Sequence, residues 1–142
     1  MGSSHPITLE TMVFTRCVVI AIPEHDPSKV TTLLIGPNND VNVLKLEDRP
    51  GRYVATMTTL LNAARDKSAP YHIDMECAGV FFADESLNAA DAVRGVTITA
   101  HSVLYGAIRE SVAWLTGRQP HGPLILGLSV LSPTGVPAEA KP

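Results

Sequence analysis

Apolar and polar residues alternate most regularly between Tyr71 and Phe82. One set of alternate positions is apolar: Tyr71, Ile73, Met75, Cys77 and Phe81. The set between them starts with polar residues: His72, Asp74 and Glu76. A period of two is that of a β-strand, in which successive side chains point to opposite faces. The pattern predicts a strand with one buried face and one face in water, which is typical of an antiparallel sheet.

Four further segments are rich in β-branched and apolar residues and are separated by turn-forming residues: 8–22, 30–35, 41–46 and 52–62. Gly, Pro, Asn and Asp fill residues 36–40 and 48–51, which predicts turns there. Residues 65–70 are predicted to form a hairpin loop. The first part of the chain is therefore expected to form a sheet of about four antiparallel strands.

A helical period follows the last strand. Apolar or small residues recur at three- and four-residue spacing: Leu104, Ile108, Ser111, Val112 and Leu115. The helix is expected to open at Thr97 or Thr99, with residues 84–94 forming a loop or a short helical turn. Gly117 is predicted to end it in a left-handed conformation, and Pro120 cannot continue it. The predicted fold is α+β, an antiparallel four-stranded sheet with one long helix packed on it.

Composition indicates one globular domain. The chain has 142 residues, of which 45% are hydrophobic and 18% charged, with a net charge of −3. Apolar residues beyond the needs of a core are expected at a subunit interface or an exposed groove. The absence of a basic run argues against nucleic-acid binding. The absence of an eighteen-residue apolar run or a leader argues against membrane insertion and predicts a cytoplasmic protein.

The chain is predicted to divide into three parts. Residues 1–7 are expected to be a disordered N-terminus or the remnant of an expression tag, residues 8–131 the folded domain, and residues 132–142 a flexible, proline-rich tail. The opening MGSSH fits either a native start or a tag. Cys17 and Cys77 are far apart and form no CxxC pair, so both are expected to be reduced, buried thiols.

Few residues point to catalysis. His72, Asp74 and Glu76 could share a metal or perform acid/base chemistry, although a solvated strand face has the same pattern. Cys77 with His72 or His101 could form a thiol–base pair, but its position on the apolar face favours a structural thiol. His101 is expected to make a polar contact. No phosphate-binding loop or hydrolase motif is present. We therefore expect no catalytic residues, no cofactor, no metal and no enzymatic activity.

The helix and the residues after it resemble the signature of SecB-type export chaperones. The matching residues are Arg109-Glu110, Thr116, Arg118, Pro123-Leu124 and Leu126. Residues 71–82 resemble the last strand of that family, and the order of elements fits from about residue 53 to residue 131. Two departures stand out. Residues 105–108 read Tyr-Gly-Ala-Ile where the family has a Phe-Pro-Tyr triplet, and after residue 131 no second helix of useful length is predicted.

The resemblance implies an ATP-independent holdase chaperone that binds unfolded or partly folded polypeptides, either export precursors or an antitoxin. It also implies a homotetramer built as a dimer of dimers, and an acidic sheet surface that docks the SecA motor, here Asp74 and Glu76. Export, toxin–antitoxin and phage-borne roles remain open. The residues proposed to contact clients are Val18, Ile20, Ile22, Leu33, Leu34, Ile35, Tyr105 and Trp114.

Two other functions are compatible with the pattern. A sheet wrapped around a long helix also describes hotdog-fold acyl-CoA thioesterases, but that fold needs its helix after the first strand, whereas the long helix here follows the last one. A purely structural oligomer, whose excess apolar surface is all interface, would bind no client.

Overall fold

The computed structural model describes residues 6–26, 37–129 and 131. Within these ranges the elements are β1 (Ile7–Ala21), β2 (Asn38–Lys45), β3 (Arg52–Leu61), β4 (Tyr71–Ala83) and α1 (Ala89–Thr116). The strands form one sheet in the order β1-β4-β3-β2, and every neighbouring pair is antiparallel. The predicted α+β architecture, with one long helix on an antiparallel sheet, is confirmed.

The core lies between α1 and the helix-facing side of β3 and β4. The apolar positions predicted for β4 are confirmed, since each of Tyr71, Ile73, Met75, Cys77 and Phe81 is at most 1% exposed. The helix meets them with side chains that recur at helical spacing and are fully buried: Val96, Ala100, Leu104, Ile108 and Val112. Burial of these two matched stripes is the main force that joins helix and sheet.

Strand β1 keeps its apolar residues on the helix-facing side by means of two irregularities. Its pairing with β4 skips one residue between Leu9 and Thr11 and another between Phe14 and Arg16, so Glu10 and Thr15 have no direct partner. Each skip is a β-bulge, which inserts one residue and restores the facing of those that follow. The helix-facing set is consequently apolar throughout: Ile7, Leu9, Met12, Phe14, Cys17, Val19 and Ala21.

The predicted start of the helix is wrong by two turns. Helix α1 begins at Ala89, because the side chain of Asn88 caps it by accepting a hydrogen bond from the Asp91 backbone N–H at 2.8 Å. The buried stripe also continues toward the N-terminus through Ala92 and Val96. The small size of the alanines in this stretch made it resemble a loop.

The predicted left-handed end of the helix is also wrong. Gly117 has a right-handed backbone (φ −60°) and donates its N–H to the carbonyl of Ala113. Gly122, five residues later, adopts the left-handed conformation (φ +79°). A tight turn over residues 117–122 thus reverses the chain, and glycine is needed at its end.

Strand β2 starts earlier than expected. Asn38 and Asn39 belong to the strand and not to the predicted turn, and the Asn39 side-chain oxygen accepts a hydrogen bond from the Thr59 hydroxyl at 2.8 Å. The strand predicted at 30–35 lies outside the described residues. The same is true of residues 1–5 and of the predicted tail 132–142.

Candidate functional site

Residues 123–129, called the strap below, run back along α1 in an extended conformation. The burial of its side chains alternates only from Leu124 to Leu126. Leu126 is 2% exposed and belongs to the core, and Leu124 packs against the same cluster. Ile125 and Leu128 point away from the protein and are 65% and 83% exposed. The strap is therefore docked on the protein through Leu124 and Leu126, while Ile125 and Leu128 leave apolar surface in water.

Four side chains of α1 hold the strap. The Thr116 hydroxyl accepts the Leu124 N–H at 2.8 Å, and Arg109 Nε donates to the Leu126 carbonyl at 2.9 Å. Two further contacts, from Tyr105 to the Gly127 carbonyl at 2.5 Å and from His101 Nε2 to the Ser129 hydroxyl at 2.8 Å, complete the set. The predicted polar contact of His101 is confirmed.

Burial sets the protonation of two of these side chains. It raises the pKa of Tyr105, whose hydroxyl also interacts with Asn39 of β2, so this hydroxyl keeps its proton and remains a donor. It lowers the pKa of His101, which favours the neutral imidazole beside Ser129. The contact of Tyr105 with Asn39 places the strap on the β2 side of the helix.

On the β1 side the middle of the strand is only partly covered. Leu9, Met12 and Phe14 lie on the helix-facing side of β1, yet each is 37–39% exposed because the helix packs mainly against β3 and β4. We call these three residues the open strip. Among the strands that the structure describes, β1 lies at the edge of the sheet, and Val13, on its other face, is 55% exposed. Such a long apolar edge is typical of a surface that binds another chain.

A small cluster of histidine and tyrosine side chains lies at the C-terminal end of β1. His121 Nε2 lies 2.7 Å from the Ile22 carbonyl, and its ring meets His25 and Tyr71 edge-on at centroid distances of 5.3 and 5.7 Å. The Tyr71 hydroxyl donates to the carbonyl of Gly122 at 2.6 Å. This cluster joins the turn after the helix to the end of β1.

The structure does not bring the predicted client-contact residues together. Val18 and Ile20 lie on the sheet face that points away from the helix, since they pair with Asp74 and His72. Trp114 is exposed on α1, where the Arg118 guanidinium stacks at 4.2 Å from its ring centroid.

The remaining client-contact residues are buried or not described. Ile22 and Tyr105 are both buried in this chain, and Tyr105 contacts the strap rather than open solvent. Leu33, Leu34 and Ile35 lie outside the described residues. The client-contact set as a whole therefore stays a prediction, with Trp114, Val18 and Ile20 its accessible members.

The two predicted docking carboxylates share one arginine. Arg16 Nε lies 2.9 Å from Asp74 and Arg16 Nη1 lies 3.4 Å from Glu76, and the Thr15 hydroxyl donates to Glu76 at 2.6 Å. The hydrogen bond to Asp74 is the main cause that raises the pKa of Arg16. The surface around Asp74 and Glu76 thus carries mixed charge rather than a purely acidic one.

His72 is separated from those carboxylates by its own contacts. The prediction that His72 faces water is wrong, since it is 8% exposed and its Nδ1 lies 2.9 Å from the Asn62 carbonyl. Among the described residues, no group of three or more His, Cys, Asp or Glu side chains could hold a metal ion. In the same ranges no helix has the length and hydrophobicity needed to cross a membrane.

The two cysteines differ. Cys77 is fully buried, and burial raises its pKa to about 11, so it stays a thiol at neutral pH. Cys17 is exposed, and the prediction of two buried thiols is wrong for it. The reason is its place on β1, where the helix leaves the sheet only partly covered.

Sequence reasoning missed both surfaces described here. The open strip was not recognised in the sequence because the two bulges break the alternation of β1. Leu9, Met12 and Phe14 consequently fall at irregular spacing along the chain. Of the strap, only Pro123-Leu124 and Leu126 were identified in the sequence, as part of the resemblance to SecB-type chaperones, and not its position along the helix. The available sequence signal was the run of four apolar residues, Leu124, Ile125, Leu126 and Leu128, directly after the helix and its turn.

Comparison with known proteins agrees with this geometry. No protein-family model and no curated protein sequence matches the chain. Among solved structures, a SecB-like chaperone of Mycobacterium tuberculosis in complex with a ChAD peptide from an antitoxin is similar (TM-score 0.59, 18% identity, covering 87% of this chain and 90% of that one). A protein of unknown function from Streptococcus agalactiae is similar too (TM-score 0.57, 13% identity, covering 89% and 100%). The chain has a SecB-like fold.

Proposed function

We propose that this protein is an ATP-independent holdase chaperone that binds unfolded or partly folded polypeptide segments. The observation that carries the proposal is the open strip, an apolar surface of Leu9, Met12 and Phe14 along a fifteen-residue edge strand. An extended polypeptide can bury its apolar side chains against this strip, which stands out of the plane of the sheet and leaves the backbone edge of β1 free for another contact. Apolar burial gives about 25 cal/mol per Å² without any chemical step, so neither a nucleotide nor a catalytic residue is needed.

The SecB-like neighbour supports a polypeptide as the client, because it is in complex with an antitoxin peptide. An antitoxin or an export precursor would both present the extended apolar segments that this surface suits. Docking of SecA on Asp74 and Glu76 is the less favoured partnership, since Arg16 neutralises part of their charge. We place this activity in the cytoplasm.

We also propose a homo-oligomer, in the form of a tetramer made of two dimers. One edge of β1 pairs with β4 and the other pairs with no strand among the described residues. Edge-to-edge pairing of β1 with a second copy would satisfy that backbone. Because such pairing uses groups in the plane of the sheet, Leu9, Met12 and Phe14, which stand out of that plane, would form one longer apolar strip across the two copies.

The direct test is suppression of aggregation. A chemically unfolded client is diluted into buffer with stoichiometric protein and no nucleotide, and light scattering is followed. We expect scattering to fall with wild-type protein and to return with Phe14→Ser, which removes the largest side chain of the open strip. Val13→Ser is the matched control, because Val13 is more exposed but lies on the other face of the same strand.

Size-exclusion chromatography with light scattering on the same samples gives the mass of the protein alone and with client. A tetramer that co-elutes with the client is the expected result. Full scattering with wild-type protein at stoichiometric concentration would contradict the holdase function and leave a purely structural oligomer.

A further inference from the structure

The strap is bound in a way that is largely independent of its sequence. Tyr105 and Arg109 lie four residues apart on α1 and donate to the backbone carbonyls of Gly127 and Leu126. His101, four residues earlier, lies on the same side of the helix and contacts Ser129. We call Tyr105 and Arg109, which donate to backbone carbonyls, the donor face. Backbone carbonyls are common to every polypeptide, so the donor face can hold any extended segment of suitable length.

One side chain gives this contact its apolar anchor. Leu126 is the strap residue that enters the core cluster, while Ile125 and Leu128 on either side of it remain in solvent. A donor face beside a pocket for a leucine side chain resembles the way peptide grooves combine main-chain hydrogen bonds with a few side-chain pockets. The chain thus fills, with its own residues, a groove suited to extended polypeptide.

We propose that the strap is a built-in competitor: it occupies a polypeptide-binding groove made by the donor face and the Leu126 pocket, and an extended client segment with a leucine-like side chain displaces it. This rests on the proposed chaperone function and adds to the open strip a second client site on the opposite side of α1. A site that is open in only a fraction of molecules binds its ligand more weakly by that fraction.

Substitutions in the strap and substitutions in the helix should affect client binding differently. Leu126→Ala weakens only the competitor, so a labelled unfolded client peptide should bind about tenfold more tightly, as measured by fluorescence anisotropy. Ile125→Ala, on the same strap but pointing outward, should leave the affinity unchanged. Tyr105→Phe loosens the strap as well, but it also removes a donor that the client needs, so the affinity should not rise.

Two further measurements separate displacement of the strap from misfolding of the variant. Hydrogen exchange of the amides in 123–129 should accelerate in Leu126→Ala and when client is added to the wild-type protein. If Leu126→Ala does not fold, Ser129→Ala removes the His101 contact without changing the core, and a smaller gain in affinity is expected from it. Unchanged or weaker client binding in a folded Leu126→Ala protein would overturn the proposal, as would an unchanged affinity in Ser129→Ala.

A synthetic peptide of residues 123–129 separates this inference from the chaperone function. It should bind the Leu126→Ala protein and compete with client for it. If that peptide binds while no unfolded client ever does, the chaperone function fails and the displaceable strap stands. If client is held but the peptide neither binds nor competes, the strap is a fixed part of the fold and the inference fails alone.

Discussion

The apolar surface is covered to different extents on the two sides of helix α1. On the β2 side the strap covers the sheet and four helix side chains hold it in place. On the β1 side Leu9, Met12 and Phe14 have the same inward direction but remain 37–39% exposed. The sequence is apolar on both sides, so hydrophobicity alone does not decide which surface is buried. The decision comes from hydrogen-bonding side chains on the helix, which fix a covering segment on one side and not on the other.

Removing the hydroxyl of Thr116 should have the largest effect, because it is a fully buried link in the closed side. This hydroxyl donates to the Val112 carbonyl at 2.6 Å and accepts the Leu124 N–H at 2.8 Å. Thr116→Val leaves that N–H unpaired and should lower the free energy of unfolding by about 1–3 kcal/mol in urea denaturation.

The matched substitution on the open side is Thr15→Val. The Thr15 hydroxyl is exposed and donates to Glu76 on the surface, so its loss should cost less than about 0.5 kcal/mol. Equal losses for the two threonines would contradict the distinction between a covered side and an open side.

An intermediate effect, of opposite sign, is expected at Gly106, an exposed position in the middle of α1. A Cβ atom at this position would have no other atom within 4 Å. Gly106→Ala should therefore raise the free energy of unfolding by about 0.5–1 kcal/mol through helix propensity. Gly51→Ala is the contrasting variant and should be destabilising, because Gly51 has φ +70° and its Cβ would lie 2.7 Å from the Phe82 ring.

The measurement at Gly106 should be made at low and high protein concentration. If Gly106→Ala raises the free energy of unfolding in dilute protein but lowers it in concentrated protein, the backbone of a second copy packs closely against this face of the helix. A gain at both concentrations would place the subunit contact elsewhere.

The smallest effect concerns pH and the far end of the strap. Burial lowers the pKa of His101, so the unfolded chain binds a proton more readily than the folded one. The stability that depends on neutral His101 is complete above its unfolded pKa of about 6.5 and is lost as pH falls through the lower folded value. We therefore expect the melting temperature of His101→Gln to depend less on pH than that of the wild-type protein between pH 7.5 and 5.5. An unchanged slope would show that protonation of His101 is not coupled to folding.

Much of the fold could be predicted from residue patterns. The buried face of strand β4 was predicted correctly because apolar residues occupy alternate positions from Tyr71 to Cys77, with polar residues between them. The start of the helix was not predicted correctly. The cap at Asn88 depends on a hydrogen bond from the Asp91 backbone N–H, which forms only once that turn is helical. Irregular pairing defeated the prediction for β1, because the positions of Glu10 and Thr15 outside the ladder depend on the partner strand. Local sequence cannot carry that information.

The functional surfaces were harder to predict for a related reason. Exposure of Leu9, Met12 and Phe14 depends on where the helix crosses the sheet, which is a property of the whole fold. Burial of Leu126 depends on contacts with α1 made after the chain has reversed at Gly122. In both cases an apolar residue looks the same in the sequence whether it is covered or open.

The two bulges in β1 have a consequence for solubility. A long, flat, apolar edge would serve as a template on which strand after strand could add, which is the route to fibrils. Each bulge bends and twists the strand and interrupts the run of evenly spaced backbone groups at Glu10 and Thr15. The edge can then accept one partner that matches its shape, but the added strand does not present a regular ladder for the next. The apolar edge strand is in this way protected from polymerising into a regular sheet.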